Sequence, residues 1–213
     1  MRSMTAPGAP GRCQRCLILE AHCVCELVGA PQPSEPQVLI VRHHWEAFKS
    51  TGTARLAGLA LSNLRIVDMV AENPAPVRAL LAELEGAWLL YPGAAPTRAG
   101  KPSPPPHTLV VLDGTWRQTG KMLRRLPELS RLPRFSLGPA PDAEQRDRLR
   151  EPPRQGARST LESIADALAE LDSAECGARL LALHQQFVAR TRLSRGQSVS
   201  KIDVGLPGRA RVR

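Results

Sequence analysis

Short apolar runs, two of them interrupted by a single polar residue, alternate along this chain with longer stretches in which apolar residues return every three or four positions. The runs fall at 38–41, 64–67, 88–91, 109–112 and around 135–137. The periodic stretches fall at 54–61, 76–84, 116–126, 160–171 and 174–191. A strand with one wet face alternates apolar and polar residues, whereas a strand covered on both faces reads as a continuous apolar run. Runs of strand length separated by amphipathic helices therefore predict an α/β domain: a mostly parallel sheet with helices on both faces.

The segments between these elements set the boundaries. Residues 1–11 are small, contain Gly and Pro and show no period, which predicts disorder. Pro31, Pro33 and Pro36 mark a stiff linker, so a cysteine-rich module at 12–30 is expected to precede a main domain at 37–191, with a tail at 192–213. The stretch 94–107 holds five prolines and reads as an exposed loop. No internal repeat is visible.

In a parallel sheet the carboxyl ends of the strands are the natural place for a site. Three polar segments follow apolar runs directly: Arg42-His43-His44-Trp45-Glu46, Tyr91-Pro92-Gly93 and Asp113-Gly114-Thr115-Trp116. The last places a carboxylate and free backbone N–H groups where a strand hands over to a helix, a position for a cap or for an anion. Ser159-Thr160-Leu161-Glu162 reads as a capping box, whose N–H groups could equally receive a carboxylate. Lys49-Ser50-Thr51-Gly52-Thr53-Ala54-Arg55 is a hydroxyl-rich turn between cations, without the glycine and lysine order of a nucleotide-hydrolysing loop.

Charge adds a partner. The formal net charge is +9, and seven basic residues from Arg190 to Arg213 face only Asp203. Arg117, Lys121 and Arg124 recur at helical spacing and form a row suited to phosphates. Such a balance fits an anionic partner, nucleic acid above all, although a solvated surface gives the same pattern. No stretch approaches the roughly 20 apolar residues of a bilayer span, and the start of the chain lacks the apolar run of a signal peptide, so a cytoplasmic protein is expected. In that reducing setting Cys13, Cys16, Cys23 and Cys25 read as four thiolate ligands of a structural zinc ion, with His22 as a possible substitute for one of them.

Taken in order, the cysteine cluster, His43 and Glu46 before a Thr/Gly/Arg turn, Asp113-Gly114-Thr115-Trp116, Arg148 and Arg150, and Ser159-Thr160-Leu161-Glu162 resemble the DTW-domain family. That family is named for an Asp-x-Thr-Trp signature and includes tRNA-uridine aminocarboxypropyltransferases. The likeness runs from Cys13 to about Thr191. It departs at two places: the family shows His-Pro-x-Glu and Thr-Asn-Thr-Gly-Arg, where this chain has His43-His44-Trp45-Glu46 and Thr51-Gly52-Thr53-Ala54-Arg55.

The resemblance implies a SPOUT-like α/β fold, with a knot left open, and transfer of the 3-amino-3-carboxypropyl group of S-adenosylmethionine to N3 of a tRNA uridine. It implies Asp113 as proton acceptor. It implies cofactor contacts from Arg55, Tyr91, Pro92, Leu112, Gly114, Thr115, Trp116, Ser159, Thr160 and Leu161. RNA contacts are expected from Lys49, Arg117, Lys121, Arg124, Arg148 and Arg150. Two other readings fit part of the pattern: a SPOUT-like RNA methyltransferase, and a zinc-containing RNA-binding protein without catalysis.

Overall fold

The structure is a computed structural model and describes residues 9–92, 104–139, 146, 149 and 157–199. Most of the expected 1–11 terminus, most of the 94–107 loop and the tail beyond residue 199 lie outside these residues.

Five strands form one sheet: β1 Gln37–His43, β2 Leu64–Met69, β3 Ala87–Leu90, β4 Thr108–Asp113 and β5 Arg134–Phe135. Their order is β2-β1-β4-β3-β5, and every pair is parallel. β4 lies at the centre and is buried at every position, which is why its sequence is apolar without alternation.

Side chains of each strand point alternately to opposite faces, so one run feeds two cores. Val38, Ile40, Leu109 and Val111 pack against helices α1 Ala54–Ala60, α5 Thr160–Leu171 and α6 Ala174–Leu193. Leu39, Val41, Val110 and Leu112 pack against α2 Ala75–Ala82, α3 Trp116–Arg125 and α4 Pro127–Arg131. The helical stretch expected at 116–126 ends at Arg125, because the residue before a proline is driven out of the helical region and Leu126 has φ −119° and ψ 78°. Pro127 then opens the short α4, where its missing N–H is harmless.

α5 and α6 cross closely at Gly177. A Cβ there would lie 2.6 Å from Ala169 Cβ and 2.7 Å from the Ala165 carbonyl oxygen, so only glycine admits this approach. The cysteine-rich segment joins the same side of the sheet as α6, with Cys16, Ile18, Val24 and Val28 buried in that core. Arg190 of α6, fully buried, donates to the carbonyl oxygen of Cys23 and lies 3.4 Å from a Glu26 carboxylate oxygen. Among the described residues, no helix is long and apolar enough to cross a membrane.

Candidate active site

Asp113 is the last residue of β4 and is 5% exposed. Its Oδ1 accepts a hydrogen bond from the Thr160 hydroxyl at 2.5 Å, while Oδ2 has no hydrogen-bond partner among the described residues. Burial pushes its carboxyl up to about 6, against the lowering effect of the Thr160 hydroxyl. Glu46 adds to the rise, and Arg42 and Lys49 oppose it. Arg42 stands beside Asp113 in the sheet register but sends its guanidinium the other way, to Asp68, at 2.6 and 2.9 Å.

Thr160 reaches Asp113 because of how α5 begins. The Ser159 hydroxyl accepts from Glu162 N at 3.3 Å, and a Glu162 carboxylate oxygen accepts from Ser159 N at 2.7 Å, completing the capping box. Ser159 Oγ also lies 3.1 Å from Nε2 of the buried His184 on α6. Leu161 N donates to the Thr53 hydroxyl at 3.2 Å, which ties the α5 start to the turn before α1. The Asp113 loop and the Ser159 helix entrance, 47 positions apart at their closest bond, thus meet in space.

A cavity of about 270 Å³ opens beside this junction. Leu90, Leu112 and Leu137 supply apolar wall; Tyr91 and Trp116 meet edge to face, their ring centroids 6.3 Å apart. Thr160, Ser163 and Arg158 supply a polar wall. Arg158 is held rigidly, its Nε donating to Asp166 at 2.6 Å and its Nη2 to the Gly138 carbonyl at 2.7 Å. Arg146 grips the same Asp166 with two bonds of 3.0 and 2.8 Å. A site that joins an aromatic pair, a strand-end carboxylate and a capped helix start is therefore built from motifs far apart in the chain. A family model described as the DTW domain matches residues 11–192, a span that contains every one of them.

The chain belongs to the DTW domain family. Over 180 residues it is 29% identical to a protein named tRNA-uridine aminocarboxypropyltransferase 2 from Drosophila melanogaster, a match covering 80% of this chain and 70% of that one. No solved structure matches it significantly.

In this DTW domain Tyr91, Pro92, Leu112, Gly114, Trp116 and Thr160 line the cavity. Thr115 instead caps α3: its hydroxyl accepts from Gln118 N at 3.3 Å, and its N–H donates to Gln118 Oε1 at 2.7 Å. Ser159 caps α5, and Leu161 lies buried beneath the α5 start. Arg55 points into its own turn and donates to the carbonyl oxygens of Ala47, Lys49 and Gly52 at 3.0, 2.7 and 3.3 Å. Lys49 pairs with the buried Glu46. Arg117, Lys121 and Arg124 are exposed on α3, and Arg148 and Arg150 lie outside the described residues. Arg158, Ser163 and Leu137 are cavity residues that sequence reasoning missed; the place of Arg158 directly before the capping box was the available sign.

The N-terminal cysteines bring four sulfurs to one point. Cys13 and Cys25 Sγ are 3.6 Å apart, Cys16 and Cys23 Sγ 3.7 Å, and all four lie within 4.8 Å of one another. Zinc–thiolate bonds of about 2.3 Å in a tetrahedron place sulfurs roughly 3.8 Å apart, so the set is close enough to hold a metal ion of that kind. The turn that presents Cys13 and Cys16 carries Leu17 at φ 61°, an unfavourable angle for leucine, held by the bond from Leu17 N to the Cys13 carbonyl at 2.9 Å. His22 is not among the converging donors.

Proposed function

We propose that this protein transfers the 3-amino-3-carboxypropyl group of S-adenosylmethionine to N3 of a uridine in tRNA. The observation that carries the reading is the Asp113–Thr160 contact at the edge of the aromatic-lined cavity, in a DTW domain similar to a named tRNA-uridine aminocarboxypropyltransferase.

S-Adenosylmethionine supplies a sulfonium, already a good leaving group, so most of the catalysis lies in aiming the γ-carbon rather than the methyl at the nucleophile. Tyr91, Trp116 and the leucine wall suit the adenosine; Thr160, Ser163 and Arg158 suit the polar amino acid end. Uridine N3 forms the new bond to the γ-carbon while the carbon–sulfur bond breaks, its electron pair leaving with 5′-methylthioadenosine. Asp113, raised to about 6, takes the N3 proton. Arg117, Lys121 and Arg124, exposed on α3, supply phosphate contacts that position the RNA. In this reading the sheet is SPOUT-like, the metal is a structural zinc ion, and the reducing cytoplasm keeps its thiols available.

Nucleosides of tRNA from cells with and without the protein test the reading by mass. Aminocarboxypropyl-uridine should vanish with the protein. Loss of a methylated nucleoside instead would make it a methyltransferase, and identical nucleosides would remove tRNA modification altogether.

A further inference from the structure

Three aromatic rings at the end of β1 have no role in the cavity. His43 closes the strand, and His44 and Trp45 begin a 3-10 turn that runs to Phe48. The His43 and His44 rings stack with centroids 4.9 Å apart and planes 19° from parallel, and the Trp45 ring leans on His44 at 4.7 Å, tilted 42° to it. Both lower rings are pinned. Gln118 Nε2 and the Trp45 N–H each approach His43 Nδ1 at 3.4 Å, and His44 Nδ1 lies 3.3 Å from the Met69 carbonyl oxygen. Two donors on one ring nitrogen require a neutral imidazole; burial, then His44, push His43 below its ordinary value, which agrees.

The top of the stack is open. Trp45 is 49% exposed, more than any other large apolar side chain among the described residues. β1 flanks β4 on the side opposite β3, so the stack and the cavity sit on either side of Asp113. Glu46, its ion-pair partner Lys49, and Lys121 all lie close enough to act on the charge of His43, and Arg117 is exposed on the same helix as Lys121. An exposed indole resting on fixed rings, with the exposed cations Arg117 and Lys121 on the helix that touches His43, matches a nucleobase carried on a phosphate chain better than it matches an apolar protein side chain.

We propose that Trp45, seated on His44 and His43, is the stacking platform for one unpaired base of the RNA, beside Asp113 and across β4 from the cavity. This inference rests on the reading of the site as acting on tRNA. Preorganisation gives the platform its use: the rings are ordered before the base arrives, so binding orders little besides the base.

The test uses the full chain with Trp45→Ala and Trp45→Phe, and two probes: a fluorescent short oligouridylate and an abasic ribose-phosphate chain of equal length. Trp45→Ala is expected to weaken oligouridylate binding about tenfold and leave the abasic chain unchanged, with Trp45→Phe within about twofold of the parent. Equal loss on both probes, no loss on either, or no binding of oligouridylate by the parent chain overturns the platform. The two readings separate cleanly, because failure of S-adenosylmethionine to raise the melting temperature of the parent chain sinks the transferase reading and leaves the probe comparison to decide the platform.

Discussion

Asp113 pairs a hydrogen-bonded oxygen with one that has no partner among the described residues, and both facts have measurable consequences. A carboxyl raised from its usual 3.8 to about 6 holds its proton more tightly folded than unfolded, so its ionisation costs stability as pH rises between those values. Asp113→Asn should therefore stabilise the ligand-free protein by on the order of 2 kcal/mol at pH 8, a gain shrinking as pH falls from 6 towards 4. Denaturant melts at several pH values measure it, and transfer activity in the same variant should fall by about 10²-fold or more. Thr160→Val removes the bond that lowers the Asp113 pKa, so the acid limb of the rate profile should move to higher pH while Thr160→Ser keeps it in place. Asp113, Thr160 and the Ser159 box were legible as residues because strand ends and caps have local patterns. Side-chain direction was not: Arg55 looked poised for a ligand, yet the carbonyls of Ala47, Lys49 and Gly52 hold it, and nothing in the pattern showed that Arg158, just before the capping box, forms a wall of the cavity.

The elements depend on close contact as much as on pattern. Gly177→Ala gains helix propensity of roughly 1 kcal/mol but drives a methyl into Ala169 and the Ala165 carbonyl. We expect a net loss of about 1–3 kcal/mol, read from thermal or denaturant melts. Gly120→Ala in α3, where an added Cβ meets only Arg124 Nη1 at 3.9 Å, should instead gain up to about 1 kcal/mol in the same assay. The continuous apolar runs placed β1, β3 and β4 correctly because their burial leaves little polar alternation to obscure them, whereas β2, part-buried and interrupted by Arg65, gave a weaker run. β5 was harder to place, since its two residues, Arg134–Phe135, are too few to carry a period and its pairing comes from Leu89 and Leu90 of β3. α4 escaped for the same reason, its five residues being shorter than the window in which a helical repeat shows.

At the scale of the molecule, the cysteine cluster and α6 share one core, and Arg190 joins them. Arg190→Met keeps the apolar stem but leaves the Cys23 carbonyl without this donor, which should cost about 1–3 kcal/mol. Loaded with zinc in vitro, the same variant should also release the ion to a chelator faster than the parent, followed by absorbance of a zinc-responsive dye. The clustering of the cysteines was plain in the sequence; the partner of Cys23 was not, because it stands 167 positions away. That separation has a consequence during synthesis. At roughly 5–20 residues per second, Cys23 leaves the ribosome about 8–33 s before the guanidinium that binds its carbonyl, so the nascent chain must keep four sulfurs reduced until α6 arrives.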